Sequence, residues 1–312
     1  MKLTLSRFLV ENEGRAPNIS PIKNHLKLCV DQEEFIYRGS ESSSADFGEK
    51  EKREGRSSLT NSNIILNFTS TYFSHLPDRK KSYFGTNVPS NATDFGSVFV
   101  IVPHDEVKDF AVIPEDFNLR DNNVLNEIQT GLNLLEFGYQ FAVSIQAICR
   151  KLKEKKIDVP HQELNDLVTK ITSQHQDIGE AEFEKLDELF KEVFSSGEPK
   201  KVGGYHNTNF ANYVWEVASS KYEGSFIRFL KSAVKAGTQD LKVVPFEEAL
   251  KIFKSKETYE IWFEGRCSYF SLDWLNEQYQ KLNDDDDVDI VNDANDEDDI
   301  HSAIAEVFKQ FL

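Results

Sequence analysis

Hydrophobic periodicity changes twice along this chain, and that double change constrains the fold more than any single motif. Up to about residue 117 the sequence carries short apolar runs broken by Gly, Ser, Asn and Pro, with "SVFVIVP" at 97–103 the clearest strand. Over 122–238 it turns to long charged segments with apolar residues three and four apart, among them Leu125, Ile128, Leu132, Leu135, Tyr139 and Val143, a spacing that predicts helices. Pro and Gly clusters in "KKIDVPHQE" and "SSGEPKKVGGYHN" break that block. "VVPFEEALKIF" predicts a last helix with Pro245 near its first turn, after which strand texture returns in "TYEIWFEGRCSYFSLDWL". The pattern implies an α+β chain whose strand-rich unit is interrupted by a helical insertion. Its expected parts are 1–118, the insertion at 119–243, a return to the first unit at 244–280, and a tail at 281–312.

With 312 residues and 39% apolar content, the chain can bury a sizeable core without staples. Three cysteines, Cys29, Cys149 and Cys267, are odd in number and widely spaced, which argues against a disulfide framework and fits a reducing cytoplasm. Charges interrupt "MKLTLSRFLVENEGRAP" too early for a signal peptide, and no apolar run approaches the length of a membrane span. The expectation is a soluble, unprocessed protein with no membrane partner.

The net charge of −17 is unevenly placed, because residues 284–299 hold ten acidic side chains and no basic one, leaving about −7 for the rest. Such a block repels itself and buries little, so it reads as a solvated segment, with mimicry of phosphates or capture of a partner as the sharper alternative. Beyond it, Ile300, Ile304, Val307, Phe308, Phe311 and Leu312 form one apolar stripe at helical spacing. A C-terminal amphipathic helix is expected there, docked on the chain's own core or presented to a partner.

Three separated signals carry chemistry. "FIYRG" ends an apolar run with Arg38, whose guanidinium can clamp phosphate oxygens and bond backbone carbonyls, followed by Gly39, which leaves room for close approach. "SYFGTN" sets hydroxyls at Ser82, Tyr83 and Thr86 around Phe84, with Asn87 behind, so polar groups on one side could hold an amide and a ribose. "YEIWFEG" opens a strand with Glu260, and a carboxylate there suits stabilisation of a cationic sugar, as in glycoside hydrolysis. Each has a plainer reading alone: a surface arginine at a strand end, a polar edge strand, a solvated charge at the start of a strand. Glu257 and Glu264 stand close enough to Glu260 to compete for its role.

In this order the three signals resemble the ADP-ribosyltransferase superfamily, in particular phage-encoded proteins of the arginine-serine-glutamate class. The resemblance covers about the first 118 residues and 245–279. It implies a split β-sheet core, NAD as cosubstrate, and transfer of ADP-ribose to a protein or nucleic acid of a bacterial host, in the host cytoplasm or carried by the virion. It implies that Arg38 and Glu260 are catalytic, and that Arg38, Gly39, Ser82, Tyr83, Phe84, Thr86 and Asn87 bind NAD. Gly85 and Asn87 stand where the family has serines, so Ser82 or Tyr83 would have to supply the hydroxyl that supports the glutamate. Thr258 replaces the second glutamate of arginine-modifying members. These departures keep open a second expectation: a catalytically silent protein of this fold, acting as a virion component or antagonising a host factor through its acidic tail. The oligomeric state is not implied.

Other chemistries fit less well. The histidines are scattered with no HxxxH or His-Cys spacing, so no metal site is expected. No GxGxxG or GxxxxGK[ST] occurs, and the Gly-rich "KKVGGYHN" follows a predicted helix; Tyr205 or His206 overhanging a nucleotide is the alternative to a plain loop.

Overall fold

The computed structural model describes residues 17–41, 45–54, 63–114, 166–167, 170, 178–195, 222–223, 225–237, 240–255, 257–283 and 297–312. The helices predicted over 122–165, Cys149, Tyr205, His206 and the acidic run through residue 296 lie outside them. In chain order the elements are α1 (Lys23–Gln32), β1 (Ile36–Ser40), β2 (Phe47–Lys50), α2 (Asn63–Tyr72), β3 (Ser82–Thr86), α3 (Pro89–Thr93), β4 (Ser97–Pro103), β5 (Phe110–Pro114), α4 (Glu180–Ser195), α5 (Phe226–Gly237), β6 (Lys242–Val244), α6 (Phe246–Phe253), β7 (Tyr259–Glu264), β8 (Cys267–Ser271), α7 (Leu272–Asn283) and α8 (Glu297–Lys309). The chain is α+β, and it divides into two compact units: Met1–Arg53 with Lys81–Glu115 and Lys242–Leu312, and Glu54–Lys80 with Asp116–Leu241.

The first unit holds one antiparallel sheet in the order β2-β8-β4-β1-β3-β7-β5-β6. Its ladder is uneven. β1 pairs with β4 over five residues and β3 with β7 over five, but β1 meets β3 through the single pair Tyr37↔Thr86. The sheet is therefore two four-stranded halves hinged at one register point. Gly85 lies at this hinge: a Cβ there would strike Ile36 and the Tyr37 carbonyl, so the close crossing of β1 over β3 requires glycine.

Alternation along the strands divides the core into layers. On the β1 side, Tyr37, Val100, Phe270 and Phe47 share one face by register, and α7 and α8 cover it. Phe270 lies 5.9 Å from Trp274 of α7 and 4.9 Å from Phe308 of α8, ring centre to ring centre. On the β7 side, Phe110 packs on Phe263 at 5.4 Å and on Phe246 of α6 at 4.9 Å, and α1 adds His25 against Phe246.

Local sequence explains most of these elements. α6 starts directly after Pro245, carries Glu247 and Glu248 in its first turn and Lys251 in its last, and buries Phe246, Ala249, Leu250 and Phe253 at one-face spacing. α8 docks back on its own unit, burying Ile300, Ile304, Val307 and Phe308. It is anchored at its start: His301 Nδ1–H donates to the Glu33 carbonyl at 2.9 Å, and the Ser302 hydroxyl donates to the Glu33 carboxylate at 3.0 Å. Gly265, at φ +138°, makes the turn from β7 into β8.

Helices α1, α2 and α7 depart from the sequence expectation, and α2, like α1, lies inside the region read as strands and loops. Residues 23–32, inside the region read as strands and loops, form α1, whose first N–H groups are capped from 80 residues away: Asp105 accepts from Asn24 N at 3.0 Å and His25 N at 2.9 Å. Strand texture was expected to run through "SLDWL", but β8 ends at Ser271, whose hydroxyl accepts from Trp274 N at 3.1 Å and starts α7. A serine at the N-cap outweighs the β-propensity of the aromatics that follow.

The second unit contributes α2, α4 and α5. Phe68, Tyr72 and Phe183 make its aromatic centre, with Phe68 5.2 Å from Phe183 and Tyr72 5.8 Å from it. Asp187 of α4 accepts from Ser225 Oγ at 3.0 Å and from Ile227 N at 3.0 Å, capping α5.

Candidate active site

Three sequence-predicted segments come together at the hinge of the sheet. β1 supplies Arg38, β3 supplies Ser82 to Thr86, and β7 supplies Glu260. Thr86 and Glu260 are direct partners in the β3–β7 ladder, and Thr86 is also the partner of Tyr37, the neighbour of Arg38. With ordinary strand spacing this puts the Cα atoms of Arg38 and Glu260 about 10 Å apart.

Arg38 bridges the opening between the half-sheets. Its Nη1–H donates to the Phe84 carbonyl at 2.8 Å, on the edge of β3 where the ladder to β1 is missing. The guanidinium thus ties β1 to the backbone of β3 beside the single pair that joins the two halves. Alternation sends the side chain out of β1 on the face opposite Tyr37, whereas Glu260 shares its face with Thr86. Arginine and glutamate therefore leave the sheet with opposite alternation, and the guanidinium reaches β3 through the hinge.

Glu260 lies between Thr86 on one side and Ile113 of β5 on the other, two residues from Trp262, which stacks on Phe84 with ring centres 6.1 Å apart. Its two competitors are placed differently. Glu257 precedes the strand and accepts a 2.8 Å hydrogen bond from the Tyr259 hydroxyl, and Glu264 pairs with Ser82 at the far end of the ladder. Glu260 alone among the three faces Thr86.

The remaining candidates have mostly internal duties. Asn87 is buried and uses both ends of its amide: Nδ2 donates to the Glu257 carbonyl at 2.9 Å, and Oδ1 accepts from Tyr259 N at 2.7 Å. It ties the end of β3 to the start of β7 and so sets the Thr86–Glu260 register. Thr86 Oγ1 accepts from Val88 N at 3.2 Å, turning the chain towards α3. Tyr83 lies on the opposite face from Glu260, beside Phe263, and donates from its hydroxyl to the Glu51 carbonyl at 2.6 Å, so it does not support the glutamate. Ser82 shares the face of Glu260 but stands four residues along the ladder, about 13 Å away. The room left by Gly39 is filled by the chain itself, since a Cβ there would strike the Ala92 carbonyl and Phe95 beside α3.

Burial, more than any other cause, raises the Tyr83 phenol above its ordinary range, with the nearby Cys267 thiol adding to it and Arg53 and Arg38 opposing it. Arg53, which the sequence reading did not single out, sits over the Tyr83 ring with its Cζ 4.8 Å from the ring centre. No residue spacing announces that contact, because it joins the end of β2 to β3.

Among the described residues no group of three or more His, Cys, Asp or Glu is placed to hold a metal ion. No helix among them is long and apolar enough to cross a membrane. No family model, curated protein or solved structure matches the chain.

Proposed function

We propose that the first unit is an NAD-consuming ADP-ribosyltransferase, in which Arg38 holds the dinucleotide and Glu260 stabilises positive charge on the ribose. One observation carries this reading: the strands that bear Arg38, Thr86 and Glu260, from three segments far apart in sequence, are joined at the single register point that hinges the two half-sheets, with Glu260 paired to Thr86 and Arg38 next to Tyr37. The hinge itself fits the split sheet that the resemblance implies. Arg38 gives one N–H to the Phe84 carbonyl, which fixes the position of the guanidinium, and a guanidinium is the side chain best suited to bidentate contact with phosphate oxygens.

The chemistry needs little else from the protein. The bond between nicotinamide and ribose breaks with its electron pair leaving on nicotinamide, and the ribose carbon becomes cationic. Glu260 opposes that charge at close range, and its partner across the ladder is Thr86. An acceptor nucleophile then bonds to the ribose carbon and loses its proton. That this acceptor is a host protein or nucleic acid rests on the resemblance alone.

Nicotinamide release from NAD, followed by chromatography, and incorporation of labelled NAD into host lysate test the reading together. Wild type should release nicotinamide, and Glu260→Gln should lose activity by about 100-fold or more while still binding NAD. Undiminished release by Glu260→Gln would remove the carboxylate from the mechanism.

A second reading has its own observation. The opposite alternation of Arg38 and Glu260, with Asn87 committed to the backbone, suits a protein that binds a nucleotide without cleaving it. Calorimetric binding of NAD that depends on Arg38, with no nicotinamide release by wild type, selects this reading.

A further inference from the structure

The face on which Arg38 leaves the sheet continues beyond the hinge. By register Arg38 is beside Phe99, Tyr269 is between Ile101 and Gly48, and Cys267 is beside Lys50, so all share one face of the β1-β4-β8-β2 half. Phe99 and Tyr269 meet edge to face at 5.6 Å. Gly48 lets the Tyr269 ring lie across β2, since a Cβ at Gly48 would come within 2.6 Å of the phenol oxygen. Lys50 then places its Nζ 4.9 Å from the Tyr269 ring centre. Arg53, just past β2, covers Tyr83 from β3. The pleat sorts the charges of this segment, because Glu49, adjacent to Lys50, points to the other face, where Asn18 Nδ2 donates to it at 3.3 Å.

A chain with a net charge of −17 thus gathers three cations on one half-sheet face and beside its hinge. Arg38, Arg53 and Lys50 all bear on the Cys267 thiol, each drawing its pKa down against the burial that raises it. Aromatic rings hold two of the three cations in place, which lowers the entropy lost when they bind an anion. A hydrogen bond to the Phe84 carbonyl holds the third.

We propose that Lys50 and Arg53 join Arg38 in a basic wall that binds the diphosphate of the ligand, so that the nucleotide runs from the hinge along β8 and β2. This deepens the NAD reading of the same site and rests on it for the identity of the ligand, but its physical content is an anion site. A diphosphate is favoured over a carboxylate because several separated cations reward an anion that spreads more than one charge over several oxygens.

Calorimetry with inorganic pyrophosphate and with NAD, on the full chain, tests it. The Lys50→Gln/Arg53→Gln variant should bind pyrophosphate about tenfold more weakly, and its affinity should fall less steeply as salt is raised from low to high concentration. Arg53→Lys, which keeps the charge, should retain most of the affinity and guards against a merely structural effect of losing the stack on Tyr83. Wild-type pyrophosphate affinity in the double variant, or equal loss in Arg53→Lys and the double variant, overturns the proposal. The two readings separate cleanly. NAD binding that needs Arg38 but ignores positions 50 and 53 removes the basic wall alone. Pyrophosphate binding that needs Lys50 and Arg53, without any NAD binding, leaves the wall and removes the dinucleotide.

Discussion

Cys267 shows how a single buried side chain ties the stability of the candidate site to pH. Burial pushes its thiol up from 9.0 to about 12, and Arg38, Arg53 and Lys50 only partly offset this. A raised acid favours its neutral form in the folded state, so its contribution is fully present below pH 9 and is lost as pH climbs towards 12. Urea melts at pH 8, 9.5 and 11 should show wild type losing stability more steeply than Cys267→Ala, so the gap between the two narrows with rising pH. A gap that stays constant across that range would mean that the thiolate is not excluded from the core. The same three cations give the residue its second significance: any anion bound beside them competes for the field that acts on this thiol, whereas the surrounding hydrocarbon keeps it chemically inert at neutral pH.

At the scale of elements, the junction between β3 and β7 decides whether a site exists, because a slip of one residue would move Glu260 to the other face and away from Thr86. Asn87 holds that junction with two hydrogen bonds to backbone groups. Asn87→Ala should leave the Tyr259 N–H and the Glu257 carbonyl without this partner, costing about 2–3 kcal/mol in urea denaturation and reducing nicotinamide release. Unchanged stability and activity would show that the register is set elsewhere. Little of this was legible in the sequence, where Asn87 reads as one more polar residue in a turn. What was legible is local: "SVFVIVP" forms β4, "FEEALKIF" with its preceding proline forms α6, and the apolar stripe after the acidic run forms α8. α1 was hidden because its cap, Asp105, is a distant residue, and α7 because an aromatic-rich run was weighed by β-propensity rather than by the serine that opens it. The candidate arginine and glutamate were visible as residue types at the end of one apolar run and the start of another. Their opposite alternation and the cations at positions 50 and 53 were not, since pleat parity across eight strands is a property of the assembled sheet.

For the molecule as a whole, the sheet is closed by sequence segments that flank the second unit, and its β1-side core is sealed by the last helix. Phe308 packs against both Phe35 and Phe270, and Ile300, Ile304 and Val307 are buried beside it. At roughly 1.5–3 kcal/mol for each large buried side chain, α8 contributes on the order of 10 kcal/mol of apolar burial, comparable with the whole stability of an ordinary domain at about 5–15 kcal/mol. Such a helix is a structural member of the first unit and not an appendage held out for a partner. A chain ending at residue 283 should therefore lose the cooperative melting of the first unit and bind a hydrophobic dye, and the missing helix added as a separate peptide should bind the truncated chain and restore the transition. If the truncated chain instead melts like the full one and the peptide binds nothing, α8 is dispensable to the core and its apolar face is free for another protein. The anchoring contacts of His301 and Ser302 on Glu33 predict which outcome holds, because they orient the helix over β1 directly behind Tyr37, the residue whose pairing with Thr86 joins the two halves of the sheet.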